Sequence, residues 1–348
     1  MPSAVTEPKV TEPLYPAYLP TRPEGYSLTV NVPPFEQVEP GTRADPAKPE
    51  IFTPDAKIKN ITPRIGAEIH GVQLSQLSKE GLDQVALFAA ERGVLVFRDQ
   101  DFKDIGFARQ REIVSHYGPL HQHPSMGYPK GTSSEFHVIY ADEKVGSIRD
   151  VIGPKTSYEL WHIDQTFTHN TPSTTFFWVL ETPSDGGGDT AFTSITEAYK
   201  ALSPTFRERL HGLTCTHSNV DAIEITRRGY DRVMKEEVKA DHPLIIEHPV
   251  TKEPAIFINL TAIKSINGMK PSESDLILNF LNDHIRSLDF SCRCKWEPGT
   301  VVIWDQRTVA HSAIPDYAPG SRRHMVRIAP YGSEPKAAPL KQEDVSRE

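Results

Sequence analysis

In the segment Tyr158-Glu-Leu-Trp-His-Ile-Asp-Gln-Thr-Phe167, His162 and Asp164 stand two residues apart. On a β-strand, residues i and i+2 project from one face, so both side chains can reach a single metal ion. A second histidine would complete a 2-His-1-carboxylate set, which leaves positions open on iron for a keto acid and O2. His311, shortly after the run Val301-Val-Ile-Trp-Asp-Gln-Arg307, is the candidate. A His-x-Asp pair alone says little. The chain holds 14 histidines and 46 acidic residues, and a solvated strand pair is spelled the same way.

The stretch beyond His311 supplies more. It carries Asp316, Tyr317, Arg322, Arg323 and Arg327. A 2-oxoglutarate enzyme needs a fixed cation for the distal carboxylate, and the planar fork of arginine binds carboxylate through two parallel hydrogen bonds. An arginine about a dozen residues past the second histidine can return on the next strand of the same sheet. A zinc site at Cys292-Arg293-Cys294 is disfavoured, because one intervening residue is too few and no second pair exists. A strand with both thiols on one face is the expectation there. With Cys215 the chain has only three cysteines, which argues against a disulfide framework and fits a reducing compartment.

The elements that must position these residues are mostly short strands. HVIYA, TTFFWVL, DTAFTS, LIIEH, AIFIN and TVVIWD read as strands, and residues 57–74 alternate like strands broken at Pro63 and Gly66. Helices are predicted from an N-cap at Ser78 through about Glu91, over 103–116, within 194–211, and from a capping box at Ser272-x-x-Asp275. Many strands with few helices do not fit a regular βαβ alternation. They predict a mainly β chain with flanking helices: a double-stranded β-helix, or cupin-like jelly roll.

Twelve of the 30 prolines fall before Lys57, so residues 1–56 are expected to form an extended arm, with Leu14, Tyr15, Tyr18, Leu19 and Phe35 as anchors. The domain is placed at 57–336 and a tail at 337–348. A formal net charge of −8 lacks the basic footprint of a nucleic-acid binder. No apolar run is long enough for a membrane span. The N-terminus does not read as a secretory signal, and the last three residues give no peroxisomal or ER address. A cytoplasmic enzyme is expected; the oligomeric state is left open, a homo-oligomer included.

Taken together, the motifs resemble the taurine/2-oxoglutarate dioxygenase (TauD/TfdA) family, fungal sulfonate dioxygenases in particular. The resemblance spans roughly 57–336. It rests on FRDQ (97–100), YGPLHQHP (117–124), WHIDQTF (161–167), PSDGGGDTAFTS (183–194), the EAY and ALSP segments (197–204), and the final WDQR, His, DY, RR, Arg block. It implies a double-stranded β-helix fold, Fe(II) and O2, and 2-oxoglutarate as co-substrate. Residue by residue, it implies His162, Asp164 and His311 as iron ligands. It puts Thr190 and Arg323 on the 2-oxoglutarate carboxylate, and His123 and Arg327 on a substrate anion. This chain has one residue more between His311 and the Arg-Arg pair than the taurine enzymes, so Arg322 is the alternative to Arg323.

Tyr158, Met126 and Ala262 depart from the taurine pattern, so the pocket they shape should be unlike that for taurine. The expected substrate is a small organic anion: a sulfonate or sulfate ester cleaved after hydroxylation, an amino or other carboxylic acid in fungal secondary metabolism, or a xenobiotic aryloxyacid. Two rivals are a non-catalytic jelly-roll binding protein and a zinc hydrolase. The intact triad speaks against the first. The second would leave Thr190 and Arg323 without a purpose.

Overall fold

Val94–Phe97, Thr174–Glu181, Val301–Asp305 and Arg323–Ile328 are buried at every position, which demands cover on both faces of their sheet. The structure, a computed structural model, describes residues 12–21, 32–124, 126–146, 156–157, 159–184, 186–229 and 236–340. The strands that build the centre are β1 (Lys57–Asn60), β2 (Ala67–His70), β3 (Val94–Phe97), β4 (His137–Ala141), β5 (Thr174–Glu181), β6 (Thr190–Ser194), β7 (Ser291–Cys294), β8 (Val301–Asp305), β9 (Val309–Ala313) and β10 (Arg323–Ile328). A seven-stranded sheet runs β1-β2-β3-β8-β5-β10-β4, and a three-stranded sheet runs β7-β6-β9. Only the β2–β3 pairing in these two sheets is parallel.

Strand alternation divides the core. Phe97, Trp178 and Val326 share an outer cluster with Leu82, Val85 and Phe88 of helix α1 (Lys79–Arg92). Phe177, Val179, Trp304 and Met325 face inward onto Phe192, Cys292 and Cys294 of the smaller sheet. Neighbours in sequence thus serve opposite layers, and the arrangement is the predicted jelly roll with flanking helices. Both β7 thiols point inward, and all three cysteines are free. Among the described residues no helix is long and apolar enough to cross a membrane.

Helix starts are where the sequence reading slipped. Ser78 caps α1 as expected, accepting from Gly81 N. Helix α2 spans Phe107–Ser115, not 103–116, because Gly106 before it sits at φ 79°, outside helical space. The helix expected within 194–211 is two, α3 (Ile195–Ala201) and α4 (Pro204–Leu210), since Pro204 keeps Ser203 extended. Helix α5 is Val220–Gly229. Helix α6 (Pro271–Ile285) starts earlier than Ser272: Pro271 occupies its first turn, and Glu273 accepts from Lys270 N at 2.9 Å.

The described parts of the proline-rich arm pack on the domain. Tyr18 is buried; its hydroxyl donates to Lys103 O and accepts from Gln110 Nε2, both at 2.6 Å. Leu14, expected as an anchor, is 73% exposed. Glu39 is buried against Arg307 at 2.7 Å and accepts from Ser333 N at 2.8 Å. Residues 1–11 and 22–31 of the arm, and 341–348 of the tail, lie outside the described residues. The tail boundary falls inside a two-residue strand, Lys336–Ala337, paired with Ile246 and Glu247, and Ala338 beyond it is buried.

Candidate active site

His162 and His311 exchange two backbone hydrogen bonds, at 3.0 and 2.9 Å, as an isolated antiparallel bridge. This sets their rings side by side, with centroids 4.2 Å apart. The strand expected through Asp164 stops there, because the chain turns at Gln165, which adopts φ 51°. The turn still brings the carboxylate to the histidines. Asp164 Oδ1 lies 3.6 Å from His162 Nε2, and Oδ2 lies 3.9 Å from His311 Nε2. The three ligating atoms fall within 4.8 Å of one another. Donors ~2.1 Å from one ion and at right angles sit ~3 Å apart, so a small inward shift closes the set.

The protonation states suit a divalent cation. His162 Nδ1 is 2.8 Å from Leu160 O, which assigns the proton to Nδ1 and leaves the Nε2 lone pair facing the site. Burial pushes the His311 pKa down to about 3, so that ring is neutral. Burial alone would raise Asp164. The charge of Arg327 and the Gln306 hydrogen bond override it, and the carboxyl is held well below the usual range. A neutral His311 ring, the Nε2 lone pair of His162 and an ionised carboxylate are the donors such an ion takes.

Gln306, within the WDQR run, clamps this carboxylate. Its Oε1 accepts from Asp164 N at 3.1 Å, and its Nε2 donates to Asp164 Oδ2 and to Thr175 Oγ1. Asn259 donates to Ile163 O at 2.6 Å, fixing the backbone between the two ligands. The sequence reading gave neither residue a role. The visible signal was a polar pair, Asp305-Gln306, ending an apolar strand.

Arg323 and Met325 alternate on β10 toward the interior, where Thr190 opens β6 on the face of Phe192. Arg323 is buried and donates from Nε and Nη2 to Gly188 O at 3.1 and 3.0 Å. It forms no ion pair with an acidic side chain among the described residues. The nearby carboxylates are occupied: Asp189 and Asp316 both pair with Arg293, at 2.8 and 2.7 Å. Gly188 is held at φ 72°, and a Cβ there would lie 3.1 Å from Arg323 Nε. Arg322 instead reaches Glu12 O at 3.0 Å and Glu181 at 3.5 Å.

Arg327 departs from the expectation of an unpaired cation awaiting a ligand. Its Nη1 donates to Asp164 Oδ2 at 2.6 Å. An unpaired charge is costly to bury, and the metal-binding carboxylate is the anion within reach. His123 Nδ1 accepts from Met126 N at 3.2 Å, and its ring packs 4.2 Å from His137. His137 is opposite Arg327 in the β4–β10 register and was not singled out in the sequence. Ala262 is buried in the turn after Asn259, whose carbonyl accepts from Ala262 N at 2.9 Å. Tyr158 lies outside the described residues.

The chain is similar to known proteins along most of its length. The family described as taurine catabolism dioxygenase TauD, TfdA family matches residues 57–329. The chain is 44% identical over 336 residues to the alpha-ketoglutarate-dependent dioxygenase cnsM of Penicillium expansum, covering 95% of this chain and 93% of that one. It is 37% identical to the alpha-ketoglutarate-dependent sulfonate dioxygenase of Saccharomyces cerevisiae, covering 92% of this chain and 78% of the relative. The crystal structure of a taurine dioxygenase from Burkholderia xenovorans superposes with a TM-score of 0.67 at 27% identity, over 82% of this chain and 92% of the other. The chain therefore belongs to the TauD/TfdA family and is an Fe(II)- and 2-oxoglutarate-dependent dioxygenase that uses O2.

Proposed function

We propose that the protein oxidises a small sulfonate or sulfate ester at the carbon bearing the anionic head. In this reading His162, Asp164 and His311 hold Fe(II). Arg323 and Thr190 receive the distal carboxylate of 2-oxoglutarate, and Arg327 and His123 face the head of the substrate. Bound iron supplies the coupling of O2 reduction and 2-oxoglutarate decarboxylation to substrate oxidation. The chain's own residues position and balance charge. Arg323 presents a desolvated cation with no acidic partner among the described residues, which suits a ligand carboxylate.

The pairing of Arg327 with Asp164 supports an anionic substrate. With a divalent ion, the Asp164 carboxylate, dianionic 2-oxoglutarate, Arg323 and Arg327 together, one positive charge is left over. A buried site in that state favours a monoanion. The yeast relative, a sulfonate dioxygenase by name, points to the same class. Oxygen insertion at the carbon bearing the head gives a product that collapses to a carbonyl and releases sulfite or sulfate. Met126 and Ala262, with Tyr158, replace residues of the taurine pattern, so taurine itself is not the proposed substrate.

We also read residues 1–56 as an extension that braces the 57–336 domain through Tyr18 and Glu39, with a tail after it, in a cytoplasmic protein. The test of function is succinate release by the Fe(II)-loaded chain across alkanesulfonates, alkyl sulfates, amino acids, alkanoates and aryloxyacetates. Stimulation by sulfonates or sulfates is expected. Stimulation by carboxylates alone overturns the assigned class.

A further inference from the structure

His137 is a polar side chain with no hydrogen-bond partner among the described residues. Both of its ring nitrogens are buried, and neither makes a hydrogen bond among the described residues. A neutral imidazole carries one donor and one acceptor, and leaving them buried and unmade is unfavourable. The histidine stands on β4 between Phe136 and Val138.

Its neighbours explain what is missing. His137 and Arg327 are Cα partners in the antiparallel β4–β10 pair, so their side chains stand next to each other on one face. That face is the interior one, because Ile139 and Met325, two residues along each strand, pack in the inner core. The His123 ring lies 4.2 Å away at 45°, which walls the imidazole from the other side. His121, 6.0 Å from His123, has its own Nε2 buried and without a hydrogen bond among the described residues. Burial, together with His123 and Arg327, holds His137 well below the ordinary histidine range, so the ring is neutral. The ring stands beside the Arg327 guanidinium, and neither of its nitrogens is hydrogen-bonded among the described residues. An anionic oxygen beside Arg327 would complete it.

We propose that His137 is a third contact to the anionic head of the substrate, beside Arg327 and His123, and that it makes the site prefer a three-oxygen head over a carboxylate. The inference rests on the anionic-substrate reading above and refines it. A tetrahedral sulfonate or sulfate directs three oxygens in three directions, one toward each of the two strands and one toward the His123 loop. A planar carboxylate holds its two oxygens in one plane and cannot direct one along each of the three donor directions. A site built to hydrogen-bond a group discriminates strongly against a ligand that cannot supply it.

The test is calorimetric binding of butanesulfonate and pentanoate to the anaerobic Fe(II)·2-oxoglutarate form of the full chain. His137→Phe keeps a ring against His123 and removes both nitrogens; His137→Gln keeps a donor. The expected result is at least a tenfold weaker Kd for butanesulfonate in His137→Phe, less than threefold change for pentanoate, an unchanged 2-oxoglutarate Kd, and partial recovery in His137→Gln. Equal losses for both probes, or none, overturn the role of His137 while leaving the anionic-substrate reading intact. A wild-type protein that binds neither probe overturns that reading, and this inference with it. If His137→Phe fails to fold, His137→Gln decides alone: it must weaken butanesulfonate more than pentanoate.

Discussion

Arg327 donates from Nη1 to Oδ2 of Asp164 at 2.6 Å, and both side chains are buried. The cation assigned from sequence to the substrate is thus bonded to the carboxylate assigned to the metal. Breaking a buried ion pair by deleting one partner costs ~3–5 kcal/mol, because the other charge is stranded. Arg327→Ala should therefore lower the melting temperature of the metal-free protein sharply. Added Mn(II) should recover more stability in the variant than in the wild type, since the ion takes over the charge of Asp164. Equal metal-induced shifts in the two proteins would count against this coupling.

Gln306 should matter to the metal more than to the fold. It holds both the backbone N–H and the carboxylate of Asp164. Loss of such a supporting partner typically weakens metal affinity ~10–100-fold. Gln306→Leu, similar in size and buried, should show that loss in a Mn(II) titration, with the circular dichroism spectrum unchanged. Wild-type affinity would remove Gln306 from the metal site.

Arg323 and Arg322 should separate cleanly. Arg323 sits on Gly188 O with no acidic partner among the described residues, whereas Arg322 is engaged with Glu181. Removing one partner of a desolvated charge pair costs ~2–5 kcal/mol. Arg323→Ala should raise the apparent constant for 2-oxoglutarate at least tenfold, and Arg322→Ala should leave it within about twofold. The reverse order would mean that the one-residue offset from the taurine pattern shifts the role to Arg322.

Acid stability should depend on Glu39. Burial would raise its pKa, but Arg307 and the Ser333 hydrogen bonds prevail and hold it below the usual 4.5. A depressed carboxylate contributes stability that is fully present above the unfolded pKa and is lost as pH falls through the folded one. The wild-type melting temperature should therefore fall as pH drops below about 4.5, with Glu39 protonation contributing. Glu39→Gln should melt lower at pH 7 and show a shallower decline. Parallel pH profiles would exclude Glu39 from the acid transition.

The sequence made some of this legible and hid the rest, for physical reasons. His162 and Asp164 were readable because two-residue spacing has a geometric meaning, although the chain turns at Gln165 instead of continuing as a strand. The jelly roll was readable because an inner strand such as β5 needs an unbroken apolar run. The Arg327–Asp164 pair joins residues 163 positions apart, and no local pattern encodes which of several buried groups a cation will meet. His137 was hidden because one histidine in an apolar strand resembles any tolerated substitution until the β4–β10 register sets it opposite Arg327. Helix starts slipped where Gly106 at a positive φ or Pro271 in the first turn set the start.

The central claim is that His162, Asp164 and His311 hold the iron that drives 2-oxoglutarate turnover. Its most direct measurement is substrate-stimulated succinate release by Asp164→Ala, with bound iron quantified in the same sample and the wild type alongside. The predicted result is loss of turnover by at least a hundredfold together with loss of tightly bound iron, in a protein that remains folded. Retained turnover in Asp164→Ala, with iron still bound, would contradict it.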